Sequence, residues 1–249
     1  MSPPWTTADN LIALDLEGIG GQDRDREKIL EIAVVPLTGG QPDMAQAWET
    51  TINPGRTIAP RSWISPDLTG TILLTAPPLE DVADNITTRV HKRILVGHNL
   101  AVDWRLLHRD LPDPEVVALI DTARLYNHLR PQAERWSLSR LITQYGLTDQ
   151  MHALAPKRSP HRALWDAVAA ALLLPALVGK LPRGSAASAA ELERVASLPS
   201  RPPSASERPL QPKRAPRTSS STGPGLSTVR TAQHAGDLAA REAGLRKQQ

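Results

Sequence analysis

Residues 11–18 read LIALDLEG, an apolar run that ends by delivering two carboxylates, Asp15 and Glu17. Side chains of a strand alternate between faces, so a strand here presents both acids side by side on one face. Two like charges that close each disfavour ionisation of the other unless a cation sits between them, and a divalent metal is the simplest such cation. Taken alone, D-x-E also fits the solvent-facing end of an ordinary strand, so the metal reading stands only if the rest of the chain supplies partners.

Downstream, Gly20-Gly21 and a charged connection lead into ILEIAVVPL, residues 29–37. This run is mostly apolar and β-branched, as expected of a strand buried on both faces. Gly39-Gly40 mark a turn into a third strand, Ala47–Ile52, which stops at Asn53-Pro54-Gly55. The connections leave no room for a helix, so the three strands form an antiparallel meander. Residues 56–78 read as loop with room for one short helix. Pro78–Lys92 is a predicted helix, with Pro at an allowed first-turn position and Leu79, Val82, Ile86 and Val90 at helical spacing.

A short strand, Ile94–Val96, then ends in Gly97-His98-Asn99 and feeds a helix over Val102–Leu111. Another, Val116–Ile120, ends in Asp121-Thr122 and feeds a helix over Ala123–Leu129. Ser137–Tyr145 is a helix with Ser137 as N-cap and Gly146 as its stop. The last long helix, Arg162–Val178, follows a basic, proline-bearing loop. Three hairpin-linked strands followed by alternating helix and strand make an α/β domain with a mixed sheet.

The 249 residues are 40% apolar, enough to bury a core, although Phe is absent. The absence of Cys excludes disulfides and thiolate metal sites. The start, MSPPWTTADN, lacks the pattern of a secretion signal, and the longest apolar run, Ala167–Gly179, is too short to span a bilayer. These features predict a cytoplasmic protein with no membrane partner. From Leu181 onward Pro, Ser, Ala and Arg dominate, and 11 Lys and Arg face 5 Asp and Glu, so residues 181–249 carry a charge of +6 and residues 1–180 carry −3. Such a segment buries too little apolar surface to offset its ordering entropy and is expected to be a largely disordered basic tail. It serves either as an electrostatic tether for nucleic acid or as solvated chain without a specific partner. Weak helices are conceivable at residues 186–198 and 231–246, neither with a strong apolar stripe.

Three further positions carry chemistry. Asp103 lies at a helix start just after a strand end, where open α/β sheets place functional groups, although a first-turn acid also favours the helix dipole. His98 and Asn99 precede it, in positions that ordinary turn residues also occupy. Asp166 interrupts an otherwise apolar helix, a costly place for a lone acid unless it binds something. His161, five residues earlier, sits at the helix start, where an imidazole can titrate near neutral pH or remain a half-exposed loop residue. The other histidines read as surface residues. Asp15, Glu17, Asp103 and Asp166 together form a hard oxygen set that suits Mg²⁺ or Mn²⁺. Two such ions would clamp an in-line displacement at phosphorus, with His161 as general base for the attacking water.

Three motifs in order, D-x-E at Asp15 and Glu17, H-N-x-x-x-D at His98 to Asp103 and H-x-x-x-x-D at His161 to Asp166, resemble those of the DEDDh 3′-to-5′ exonucleases. The resemblance covers residues 9–180 and extends to LEIAVVPL, INPGRTIAP and LIDTARL. It implies a ribonuclease H-like fold, a five-stranded mixed sheet flanked by helices. By this resemblance Asp15 would bridge two metals, Glu17 and Asp166 would hold the metal that activates water, Asp103 would help hold the second, and His161 would be the base. Asn99, His98 and Gly18 would meet the substrate strand.

The chain departs from the family pattern in three places. Gly18-Ile19-Gly20 replaces the usual T-T-G, Pro66–Gly70 replaces a histidine-glycine pair, and Val102 and Leu106 replace aromatic residues. Trp63 or Trp104 is then a candidate stacking residue, or ordinary core. The expected activity is release of nucleoside monophosphates from the 3′ ends of single-stranded DNA or RNA. Two other roles remain open at this level: a catalytically silent nucleic-acid-binding or docking module that works through the basic tail, and proofreading in trans, with residues 199–217 docking a polymerase.

Overall fold

The computed structural model describes residues 3–20, 27–59, 64–68, 70–111 and 114–199. Strand β1 (Leu11–Gly18) is central: it pairs antiparallel with β2 (Ile29–Thr38) on one side and parallel with β5 (Ile94–Gly97) on the other. Beyond β2 the edge is shared by the two-residue β3 (Gln41–Pro42) and by β4 (Trp48–Thr51), both antiparallel to β2, while β6 (Ala118–Asp121) pairs parallel with β5. Five strands therefore form the expected mixed sheet, extended at one edge by β3.

The period of two along β1 decides where the site lies. Ile12, Leu14 and Leu16 pack with residues of α2 (Leu79–Val90) and α3 (Ala101–Asp110). Leu11 and Ala13 belong to the opposite core, with α4 (Thr122–Leu129), α5 (Leu138–Gln144) and the long α7 (Ala163–Val178). Asp15 and Glu17 continue the α7 face, opposite Ala33 and Glu31 of β2 in the antiparallel register. Helix α7 is apolar on nearly all sides and rich in Ala where it crosses β1 and β2, which lets its backbone approach the sheet closely. Its first turn brings Asp166 to the end of β1 where the two acids emerge.

Parallel pairing of β1 with β5 covers only Leu11–Ala13, so the rest of β1 runs on past the end of β5. Gly97 ends β5 at a point where a Cβ would lie 2.6 Å from Leu100 Cδ1 and 3.1 Å from the Leu14 carbonyl oxygen, which is why a side chain is missing there. Short α1 (Thr71–Thr75) takes the place of the one short helix allowed in residues 56–78, and α6 (Thr148–Leu154), not expected from the sequence, precedes the basic loop. Trp104 is buried in the α2–α3 core and takes the core option of its two readings, while Trp63 lies outside the described residues.

Ordered structure continues past residue 180, where the sequence reading places the start of the tail. Helix α8 (Ala189–Ala196) carries a capping box between Ser188 and Glu191 and buries Leu192 and Ala196 against α4 and β6. The Leu198 amide donates to the Leu119 carbonyl at 3.0 Å. Edge strand β6 would otherwise expose unpaired backbone groups, and this segment covers them. Helix α8 lies within residues 186–198, where the sequence allowed a weak helix in a largely disordered tail, and residues 200–249 lie outside the described residues. Leu192→Ala should lower unfolding free energy by about 2–5 kcal/mol, as a buried leucine does when truncated, with denaturant melting as the measurement. A loss below 1 kcal/mol would show that α8 is loosely attached. Among the described residues no helix is long and apolar enough to cross a membrane.

Candidate metal centre

Glu17, His161 and Asp166 each offer a ligand atom within 4.8 Å of the others. The pairing of β1 with β2 shifts register between Glu17 and Gly18, and such a bulge re-aims the side chains beside it. At α7 the His161 amide donates to Asp166 Oδ2 at 2.9 Å. His161 itself has φ +65°, a left-handed conformation uncommon for a residue with a side chain, and its imidazole is exposed. Asp103, buried in the first turn of α3, accepts from the Leu16 amide at 2.9 Å through Oδ1. That amide belongs to the part of β1 beyond β5, so Asp103 takes the place of a missing strand.

Asp15 and Asp103 stand outside the trio but act on it electrically. Burial, then the charges of Asp103, Asp166 and Glu17, hold the Asp15 carboxyl well above the usual carboxylate range. Glu17 is pushed up to about 8, first by burial and then by Asp166, with which it shares a hydrogen bond. Burial also raises Asp103 to about 7, against the Leu16 amide, and Asp166 to about 6, against the His161 amide. Carboxyls that are desolvated and repel one another in this way hold protons more readily than free ones, and a cation that replaces those protons relieves the repulsion. The donor set is oxygen with one imidazole and no thiolate, which fits a hard divalent ion.

The second motif is built around Asp121, whose side chain caps α4 by accepting from the Ala123 amide at 2.8 Å and also accepts from the Asn99 amide at 3.1 Å. Asn99 has φ +60°, a conformation asparagine tolerates better than most residues, and keeps its side chain exposed. The Thr122 hydroxyl donates to the Gly97 carbonyl at 2.9 Å, so His98 donates from Nδ1 to Thr122 Oγ1 at 3.0 Å. Burial lowers the His98 pKa and keeps its ring neutral. Gly18 is half-buried beside Glu17.

Sequence reasoning missed two residues next to the centre. Glu31, on β2 opposite Glu17, is buried and grips Arg162: Arg162 Nε lies 3.1 Å from both of its oxygens and Nη2 lies 2.6 Å from Oε1. Its Oε2 also accepts from the Ala163 amide at 2.8 Å. One signal was present, an acid inside the otherwise apolar strand ILEIAVVPL. A carboxylate buried there requires a partner.

Residues 12–174 match the family model described as Exonuclease, of RNase T type. A DNA polymerase III subunit epsilon-like protein of Rhodobacter capsulatus is 29% identical over 177 residues, spanning 67% of this chain and 24% of that protein. The 3′-5′ exonuclease DinG of Bacillus subtilis is 26% identical over 177 residues, spanning 68% of this chain and 18% of the relative. The chain thus spans about a quarter or less of the length of these relatives. Among solved structures, Exonuclease X in complex with 5′ overhanging duplex DNA superposes with a TM-score of 0.52 at 25% identity, covering 71% of this chain and 97% of the other. Pop2p of S. pombe superposes with a TM-score of 0.52 at 10% identity, over 75% and 87% of the two chains, a likeness of fold alone. The motifs, the sheet order and the matched model agree: the chain belongs to the RNase T exonuclease family.

Proposed function

We propose that this domain is a divalent-metal-dependent 3′-to-5′ exonuclease that hydrolyses single-stranded DNA or RNA from its end and releases nucleoside monophosphates. The observation that carries the reading is the convergence of Glu17, Asp166 and His161 within 4.8 Å, adjoined by Asp15 and Asp103, in a chain of exonuclease family. The names of its relatives, a polymerase III epsilon-like protein and a 3′-5′ exonuclease, support the direction of attack.

Asp15, Glu17, Asp103 and Asp166 would hold Mg²⁺ or Mn²⁺, two ions by the number of carboxylates. Bound there, the metal supplies Lewis acidity at phosphorus and makes a water acidic enough to attack at neutral pH. The chain's own groups do the rest. Burial keeps the carboxylates poor in water and strengthens their hold on a cation. Exposed His161 takes the proton of the attacking water, a transfer worth about 10²–10⁴-fold in rate. Its backbone amide meanwhile orients Asp166. Gly18, next to Glu17, and Asn99, at the end of β5, are the residues we assign to the strand's end. His98, with Nδ1 committed to Thr122, steadies the turn that carries Asn99.

A 5′-labelled single-stranded oligonucleotide, offered as DNA and as RNA, tests this. A descending ladder that needs Mg²⁺ or Mn²⁺, stops with EDTA and falls about 10²–10⁴-fold in His161→Ala is the expected result. Intact substrate bound equally well with and without EDTA would instead identify a silent binding module. A metal-dependent ladder untouched by His161→Ala would remove the histidine from the chemistry.

A further inference from the structure

We propose that Arg162, locked in two-pronged contact with Glu31, is a positioning residue that holds His161 at the carboxylate cluster. The inference rests on the reading of His161 as the base and concerns how the chain keeps it there.

His161 is held in a left-handed backbone conformation, and such a residue persists only where its surroundings over-determine it. Its own amide is tied to Asp166 Oδ2 at 2.9 Å. Immediately after it, Arg162 spans Glu31 with Nε and Nη2, and Glu31 also takes the Ala163 amide, so one carboxylate clamps both residues that follow the histidine. Three residues before it, Arg158 pairs with Glu49 of β4. The loop bearing His161 is thus pinned to two neighbouring strands of the sheet.

A buried ion pair is poor evidence of stability, because apolar residues of the same volume commonly serve the fold as well. Its geometric precision is what apolar packing would not reproduce, since guanidinium and carboxylate meet in a planar fork that fixes orientation. The pair has a second consequence. Glu31 faces Glu17 across the β1–β2 ladder and is a fifth carboxylate beside the cluster. With Arg162 and the Ala163 amide occupying both its oxygens, Glu31 is withheld from the ligand set.

Removing Arg162 alone leaves a buried unpaired acid and risks the fold, so the decisive variant is the neutral pair Glu31→Gln/Arg162→Gln. We expect it to melt like the wild type and to bind Mn²⁺ with unchanged affinity. Its kcat on the oligonucleotide should fall roughly 10²-fold, the scale of a misplacement of about 1 Å, with KM within about twofold. In a His161→Ala background the same pair of changes should cost nothing more, because a residue that acts only through His161 has nothing left to position. Hydrogen exchange at the His161 and Ala163 amides, which requires no turnover, should accelerate in the variant. Wild-type kcat with wild-type exchange, or an equal further loss in the His161→Ala background, overturns the proposal. A wild-type protein that degrades nothing overturns the nuclease reading, and the exchange measurement still decides whether the pair holds the loop.

Discussion

Replacing Asp15 with Asn should abolish strand degradation, a fall of roughly 10³-fold or more, while making the metal-free domain harder to unfold. The two effects have one cause. Asp15 emerges from the central strand on the α7 face, and its carboxyl is crowded by Asp103, Asp166 and Glu17 in a partly desolvated position. With metal present, that crowding is what binds the ion, and an amide oxygen without charge is a weak substitute. A metal supplies several kcal/mol of charge stabilisation in the transition state, and each 1.36 kcal/mol lost is tenfold in rate. Without metal, the same charge is a liability, and its removal relieves repulsion on three neighbours. The measurement is paired: oligonucleotide turnover with Mn²⁺, and melting with EDTA against melting with Mn²⁺. The expected variant is inactive, melts higher than the wild type in EDTA and gains little from Mn²⁺. An active Asp15→Asn, or one that melts lower in EDTA, would show that Asp15 is an ordinary strand-end acid.

Much of this was legible in the chain because strand parity is a local rule. Once LIALDLEG is a strand, Asp15 and Glu17 must share a face with Leu11 and Ala13, and the apolar strand ILEIAVVPL must lie beside it. Asp103 and Asp166 were legible for the same kind of reason, as acids at helix starts after a strand or loop. What escaped depends on distant contacts. The Glu31–Arg162 pair joins residues 131 apart, and nothing near either of them announces the other. Helix α8 was half legible: a weak helix was allowed over residues 186–198, with the Ser188-to-Glu191 capping box as a local signal, but its apolar face is little more than Leu192 and Ala196. That face gains meaning only from the β6 edge it covers. For His98, expected at the substrate strand, the spacing of its motif does not reveal the Nδ1 partner, Thr122, which comes from the next strand-to-helix turn. The added tryptophan of the second motif, Trp104, lies on the side of α3 that faces the core, a matter of helix rotation that spacing to Asp103 alone does not resolve.

The stability of the metal-free domain should fall as pH rises from 5 to 8, the reverse of ordinary acid denaturation. Glu17, Asp103 and Asp166 are raised in the fold to about 8, 7 and 6, and Asp15 is raised as well. In the unfolded chain these groups titrate near 4. Between those limits the folded state holds more protons than the unfolded state, so each unit of pH costs stability. The contribution is complete below about pH 4 and disappears as pH passes through the folded values. His98 works the other way: burial lowers its folded pKa, so below about 6.5 it costs stability on acidification and partly offsets the gain from the carboxyls. In EDTA the melting temperature should therefore drop on the order of 5–10 °C between pH 5.5 and 8, at about 2–4 °C per kcal/mol for a domain of this size. With saturating Mn²⁺ the slope should flatten or reverse, since a bound cation favours the charged carboxylates and competes with protons for them. Glu17→Gln removes one of the displaced protons and should shrink the EDTA slope. A flat melting profile in EDTA across this range would mean that the four acids do not share one desolvated cluster, and the metal centre would have to be sought elsewhere on the sheet.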